Sequence, residues 1–108
     1  MIAVYHHAQF TKYQYDRQEW RAPNQLTKVA EVETDDEDVA YEFTNHIDSS
    51  WLKNMGVKPL VEEARSTSVG DILVDYRSDG SVSMYSVVEP IGFRMLSDAE
   101  VKALGLDA

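Results

Sequence analysis

Residues 72–88 have the sequence Ile-Leu-Val-Asp-Tyr-Arg-Ser-Asp-Gly-Ser-Val-Ser-Met-Tyr-Ser-Val-Val. Two runs rich in β-branched and aromatic residues, 72–76 and 82–88, flank a polar loop that contains Asp79 and Gly80. Such runs are typical of strands, and an Asp-Gly pair supplies the positive φ angles that a tight hairpin loop requires. This segment therefore predicts a β-hairpin, to which the remaining elements are added.

Further strands are predicted on both sides of the hairpin. Residues 2–7 and 91–96 are short β-prone runs. In residues 26–32, apolar side chains alternate with polar ones, apart from Val29, which is the pattern of a strand with one buried face. The side chains expected on that buried face are Leu26, Ala30 and Val32.

A helix is predicted over residues 35–46. Thr34 and Glu37 stand three residues apart before an apolar stripe, as in a capping box, where the hydroxyl and the carboxylate bond each other's backbone amides. The residues of the stripe recur every four positions and are expected to pack on the sheet. They are Val39, Phe43 and Ile47, with Ala40 beside them.

A second, shorter helix is predicted over residues 98–104. Ser97 and Glu100 repeat the capping-box spacing, and Gly105 supplies a stop signal. This element is expected to close the domain.

These elements predict one α+β domain over residues 1–108. We expect four or five mostly antiparallel strands, with the 35–46 helix on one face and the short C-terminal helix at an edge. Residues 8–25 are expected to form a long connection, and residues 48–65 an irregular packed loop.

Composition sets limits on the class of protein. The chain has 108 residues, of which 44% are hydrophobic, as in an ordinary globular domain. Because it contains no cysteine, disulfides, thiolate metal sites and thiol nucleophiles are excluded. The N-terminal residues lack the pattern of a secretory signal, and no run approaches the roughly 20 apolar residues of a membrane helix. We therefore expect a cytoplasmic protein.

The formal net charge of −9 disfavours nucleic acid and anionic membranes as direct partners and favours proteins with basic surfaces. Residues 31–48 contain eight acids and no lysine or arginine. Acids at a helix start complement its partial positive charge, so the block has a purely structural interpretation. The alternative is a contact surface that resembles a row of phosphates. Its candidate binding residues are Asp35, Asp36, Glu37, Asp38 and Glu42.

An aromatic segment follows the first strand. Its aromatic and basic side chains are of the types that anchor protein interfaces or stack on single-stranded nucleic acid, and core packing under a loop explains them equally well. The candidates are Tyr13, Tyr15, Arg17 and Trp20. Direct nucleic-acid binding would require an acid-free face made by Lys12, Arg17, Arg21 and Lys28.

Residues 65–71 concentrate hydroxyls and one guanidinium before a strand, a combination that can hold an anion or form a simple turn. The spacing of a phosphate-binding loop is missing. The candidates are Arg65, Ser66, Ser68 and Asp71. An enzyme would need these groups to converge with a histidine in one pocket.

The three histidines show no metal-binding spacing. His6 and His7 are adjacent on a predicted strand and should point to opposite faces, and the third is His46. No metal site or cofactor is predicted.

The segment of residues 65–96 resembles the YodL-like domains of bacterial mobile elements. Those domains show a hydroxyl-rich stretch, a strand pair and a closing Gly-Phe. The matching residues here are Ser66, Ser68, Val69, Asp71, Ile72, Gly92 and Phe93. The resemblance implies a context in phages or mobile DNA, among accessory or antirestriction genes, and assigns no catalytic residues.

We therefore expect a non-enzymatic phage or mobile-element accessory protein that acts by binding another protein. One alternative is an acidic nucleic-acid mimic that inhibits a host defence or DNA-processing protein. A second is a small hydrolase or nucleotide-binding enzyme that uses the 65–71 turn. The partner and the oligomeric state are not predicted.

Overall fold

The computed structural model describes residues 1–45, 51, 54 and 56–106. Within them, one antiparallel sheet has six strands in the order β3-β2-β1-β4-β5-β6. The α+β class is confirmed, and the sheet has more strands than the four or five predicted. The strands are β1 (Ile2–His7), β2 (Leu26–Val32), β3 (Val57–Pro59), β4 (Ile72–Tyr76), β5 (Val82–Val88) and β6 (Phe93–Met95).

The additional strand is β3, which lies in the segment predicted to be an irregular loop. It has three residues, too few to show an alternating pattern, and it contains Pro59. A proline is tolerated there because β3 is an edge strand and the missing N–H would point outward. The bonds from Leu60 N to Val29 O and from Glu33 N to Gly56 O fix this orientation.

Four helices lie in the described part of the chain: α1 (Lys12–Tyr15), α2 (Arg17–Trp20), α3 (Glu37–Phe43) and α4 (Asp98–Leu104). The first two occupy the segment predicted as a long connection, so that prediction is wrong. Each is a single turn, too short to produce a helical periodicity. Asp16 separates them, and its side chain accepts a hydrogen bond from Glu19 N at the start of α2.

The predicted hairpin is confirmed as β4 and β5. Arg77 N donates to Ser81 O across the loop, and Gly80 has a φ of 87°. Asp79 accepts hydrogen bonds from the amide and hydroxyl of Ser81. The helix predicted over 98–104 is also confirmed, with a complete capping box between Ser97 and Glu100.

The prediction that one face of β2 is buried along its whole length is wrong, because β2 contains a bulge. Val4 pairs with Ala30 but Tyr5 pairs with Lys28, so Val29 is an extra residue on β2. An extra residue reverses the direction of every side chain beyond it. Leu26 therefore packs on the opposite face of the sheet from Ala30.

Helix α3 begins later than predicted. Its N-cap is Asp36, whose side chain accepts a hydrogen bond from Asp38 N at 2.9 Å. Thr34 instead accepts from Asp36 N, and the predicted capping box with Glu37 does not form. Two candidate caps lie close together here, and the sequence spacing favoured the wrong one.

The buried side of α3 agrees with the prediction at Ala40 and Phe43 and differs from it at Val39. Ala40 and Thr44 are buried, and Tyr41 and Phe43 pack against the core, whereas Val39 is only half-buried. Ile47 and the predicted helix end at His46 lie outside the described residues.

Both faces of the sheet are covered. The first face, which carries Ile2, Val4 and Leu73, packs against α3 and Trp51. The second face packs against α1, α2 and α4 through Tyr13, Trp20 and Leu104, among others. The C-terminal helix thus helps to cover a face, where an edge position was predicted. No helix in the described part of the chain is long and apolar enough to cross a membrane.

Candidate functional site

The predicted 65–71 site is organised around Asp71, which is fully buried before β4. The two guanidinium nitrogens of Arg65 donate to its two carboxylate oxygens at 2.6 and 2.7 Å. One oxygen also accepts from His7 N, and the other from Ser68 N, both at 2.8 Å. Each oxygen thus receives two donors, and the carboxylate is saturated.

Both terminal nitrogens of the Arg65 guanidinium are occupied. Besides Asp71, its guanidinium donates to the carbonyl oxygens of Ser66 and His7, and it lies 3.7 Å above the centre of the Phe10 ring. A guanidinium that already binds a buried carboxylate and two carbonyls has little capacity left for a second anion.

His6 belongs to a buried chain of hydrogen bonds that fixes its tautomer. The Thr44 hydroxyl donates to Ala40 O, and the Thr67 hydroxyl donates to Thr44 Oγ1 at 2.8 Å. Because both hydroxyl protons are used, His6 Nε2 must carry the proton that it shares with Thr67 Oγ1 at 2.9 Å. Burial lowers the pKa of His6 to about 4, and nearby Arg65 acts in the same direction.

His7 is neutral for a similar geometric reason. Its Nε2 faces the carbonyl of Trp20 at 2.7 Å and must donate, while Nδ1 accepts from Gln9 N at 2.9 Å. Its ring stacks on Trp20 with 5.5 Å between centroids. Burial lowers the pKa of His7, because the low-dielectric surroundings disfavour the charged ring. Protonation of Nδ1 would also set two donors, Nδ1–H and Gln9 N–H, against each other.

Arg65, Ser68 and Asp71 therefore converge beside the backbone of His7, but not in the single pocket that an enzyme would require. The two histidine rings bond other groups, the His6 ring Thr67 and the His7 ring Trp20 and Gln9. Asp71 lines none of the described cavities. A small cleft of about 250 Å³ lies beside Ser68 and is lined mainly by side chains of the 10–15 segment. The hydrogen bonds of Asp71 and Arg65 to the His7 backbone hold the 65–71 segment against β1, which is a structural role.

The acidic candidate residues have different local roles in the structure. Asp35 binds the Met1 ammonium at 3.0 Å, and Asp36 caps α3. One oxygen of Glu37 is buried without a hydrogen-bond partner in the described part of the chain. Asp38 and Glu42 are exposed on α3, and no described residue pairs with their carboxylates.

The aromatic candidates separate in a similar way. Tyr13 and Trp20 are buried in the core of the second face, and Arg17 lies 3.8 Å above the Tyr13 ring. Tyr15 projects into solvent, with 84% of its surface exposed, and it is the exposed one of the three aromatic candidates.

Tyr13 also belongs to a polar cluster beside β6. Its hydroxyl donates to Glu89 at 2.7 Å and accepts from Arg94, which forms a bidentate pair with Glu100 at 2.8 Å. This pair lowers the pKa of Glu100 to about 2. Arg94 is thereby held against the protein.

The basic residues tested for an acid-free face do not form one. Three of the four have a carboxylate as a neighbour: Lys12 with Glu19, Arg21 with Glu100, and Lys28 with Glu31. The arrangement that direct nucleic-acid binding would require is thus missing among them.

An open cleft of about 780 Å³ lies beside the 77–81 loop. Its walls include Lys28, Glu31 and Asp35, whose charges are paired with one another or with Met1. In the described residues, no group of three or more histidine and acidic side chains could hold a metal ion. His46 lies outside those residues.

The β5–β6 hairpin carries a surface that the sequence analysis did not identify. Ile91, in its turn, is 93% exposed, and Met95, in β6, is 67% exposed. The strand itself was predicted within residues 91–96, but its place at the end of the sheet was not. Strand order depends on long-range pairing, so no local signal marks these residues as exposed.

No protein-family model, curated protein or solved structure matches this chain. The resemblance to YodL-like domains therefore stays a prediction.

Proposed function

We propose that this chain is a non-enzymatic protein-binding domain whose contact surface is the edge formed by β6 and its turn. The observation that carries the proposal is the exposure of Ile91 and Met95 on this one hairpin. Single exposed apolar residues are common, but two on a sheet edge mark a surface suited to burial against a partner.

The two edges of the sheet differ in a way that supports this assignment. At the β3 edge, Pro59 removes an outward N–H and Lys58 is exposed. Both features discourage pairing with another chain. The β6 edge has no proline in the strand, and its one cation, Arg94, is bound to Glu100.

The charge of the chain supports a basic partner. Tyr41 of α3 contacts Phe93 of β6, with ring centroids 6.1 Å apart. Asp38 stands three residues before Tyr41, so these two side chains share one flank of α3, and Tyr41 of that flank contacts Phe93. The acidic block thus contributes one carboxylate to the side of α3 that faces β6, and the net charge of −9 favours a basic partner in general.

The alternatives have less support. An enzyme of the 65–71 turn would need open polar groups, whereas the Asp71 carboxylate is saturated and both terminal nitrogens of Arg65 are engaged. A nucleic-acid mimic would need the acids on one regular surface, and here they serve different local tasks. A phage or mobile-element context, taken from the resemblance alone, is part of the proposal.

The test is affinity capture from a lysate of the source organism with three immobilised baits. These are the wild type, the double variant Ile91→Ser/Met95→Ser, and the control Tyr15→Ser, which removes an exposed aromatic residue elsewhere. We expect a protein retained by the wild type and the control but lost by the double variant. Equal retention by all three baits would contradict the assignment of the hairpin, and retention by none would contradict the binding function.

A further inference from the structure

We infer that the partner binds as an extended strand that adds to β6, with Lys or Arg at alternate positions facing α3. This inference rests on the proposed function and specifies its binding mode. Its basis is the direction in which the backbone N–H and C=O groups of β6 point, together with the net charge of the chain and the Asp38 carboxylate on the flank of α3 that contacts Phe93 through Tyr41.

The hydrogen bonds at the two ends of the β5–β6 pair fix the direction of every amide between them. Leu96 N donates to Tyr85 O, and Glu89 N donates to Gly92 O. In the antiparallel register Ser86↔Met95 and Val88↔Phe93, these bonds direct the backbone of Arg94 toward β5. The N–H and C=O groups of Phe93 and Met95 therefore point away from the sheet.

No described residue bonds these four outward groups. They have the spacing of a strand edge, and a strand is the structure that satisfies them all at once. The side chains around them are compatible with this, because Met95 is largely exposed and Ile91 lies beyond the end of the strand.

The two faces of an added strand would meet different surroundings. Phe93 packs with the first-face core under α3, and by alternation Met95 projects to that same face. Asp38 lies on the flank of α3 that carries Tyr41, which contacts Phe93. Alternate residues of the added strand thus face the side of α3 that carries the Asp38 carboxylate, for which no described residue is a partner, and this favours cations at those positions.

A second copy of this chain is the other occupant that an open edge admits. It would bring together two molecules that each carry a formal charge of −9, and both would place Asp38 on the side of α3 that faces the contact. Like charges oppose that pairing, so the charge favours a basic strand from another protein.

The experiment uses ¹⁵N-labelled full-length protein and a defined probe, the capped peptide Lys-Val-Lys-Thr-Lys-Val-Lys. In the free protein we expect protection from hydrogen exchange at the Arg94 amide but not at Phe93 or Met95. Saturating peptide should protect Phe93 and Met95. A peptide with Glu in place of Lys should bind at least about tenfold more weakly.

Two variants separate strand addition from side-chain contact. Met95→Ser removes only the side chain, whereas Met95→Pro also removes the outward N–H and leaves the bonds to β5 intact. We expect Met95→Pro to bind the peptide about tenfold more weakly than Met95→Ser. Equal affinities would overturn strand addition while leaving the proposed function in place.

A matched pair of charge variants tests whether the cations of the added strand face α3. Asp38→Asn should weaken peptide binding, and Glu62→Gln, which removes the same charge at an exposed position that follows β3 in the chain, should not. Equal effects, or peptide-induced shifts centred away from β6, would overturn the inference. If the protein self-associates and Met95→Pro abolishes this self-association, the occupant of the β6 edge is a second copy of the chain. That result would also overturn the inference.

Discussion

Gly70 illustrates how one residue position constrains the packing of the 65–71 segment. Its φ is 97°, and a Cβ added there would lie 2.2 Å from the carbonyl oxygen of Phe10. Gly70→Ala must therefore both strain the backbone and displace the chain before α1. We expect a loss of more than about 3 kcal/mol in the free energy of unfolding, measured by urea denaturation.

Gly80 provides the matched control. Its φ of 87° is similar, but no atom lies within 4 Å of an added Cβ. Gly80→Ala should cost only the backbone term, about 1–2 kcal/mol. Equal losses at the two glycines would show that the contact with Phe10 does not contribute.

Asp71 tests whether the saturated cluster is structural. Asp71→Asn replaces one acceptor oxygen by an amide that must face backbone donors and Arg65, so a loss of about 3 kcal/mol or more is expected. Asp79→Asn, in the exposed hairpin loop, should change stability little. If Asp71→Asn is as stable as the wild type, the cluster has another role and the enzyme alternative regains support.

The lowered pKa of His6 predicts how the free energy of unfolding depends on pH. Its pKa is lowered to about 4 in the folded protein, so on acidification the unfolded chain binds a proton first, near pH 6.5. The contribution of neutral His6 is complete above pH 6.5 and is lost as the pH falls to 4, by about 3 kcal/mol in total. Urea midpoints at pH 7, 5.5 and 4.5 should decrease in that order.

His6→Gln is the control, since glutamine keeps a donor for Thr67 Oγ1 but does not titrate. The variant should show a smaller decrease over the same range, with the remainder due to His7, whose pKa is also lowered. An unchanged pH dependence would mean that protonation of His6 is not linked to unfolding.

At the scale of elements, the start of α3 shows where local patterns are ambiguous. Thr34 and Asp36 are both good caps, and the structure uses Asp36. Asp36→Ala should therefore lower the free energy of unfolding by about 1 kcal/mol, and Thr34→Ala by less. Thermal unfolding of the two variants at the same pH decides between them, and a larger loss at Thr34 would restore the predicted capping box.

The elements that were predicted correctly share strong local determinants. The hairpin has an Asp-Gly loop between two β-prone runs, and α4 has both a capping box and a terminal glycine. The elements that were missed lack such signals. Helices α1 and α2 have four residues each, β3 has three, and the bulge at Val29 depends on the partner strand β1.

At the scale of the whole molecule, the candidate sites depended on contacts that no local pattern encodes. Arg65 and Asp71 were identified as residues with chemical potential, but their mutual saturation follows from packing against β1. Tyr13 and Trp20 became core residues because α1 and α2 cover the second face of the sheet. The exposure of Met95 follows from strand order, which is the property least accessible to sequence patterns.

The net charge of −9 predicts a salt dependence of stability. Repulsion among the acids opposes the compact state and is screened by salt. The strongest ion pairs, Arg65–Asp71 and Arg94–Glu100, each include a buried carboxylate and are screened less. Surface pairs contribute little in either case. We therefore expect the urea midpoint to rise as NaCl is added up to about 0.3 M, beyond which the Debye length is short.

Glu62→Gln/Glu63→Gln, which lowers the negative charge by two at exposed positions, should show a higher midpoint at low salt and a smaller increase with NaCl. Chloride is preferred to sulfate for this titration, because sulfate also strengthens hydrophobic burial. A midpoint that falls with NaCl would mean that attractive pairs outweigh the repulsion. The excess acids would then be offset by local cations, and the preference for a basic partner would have to rest on Asp38 alone.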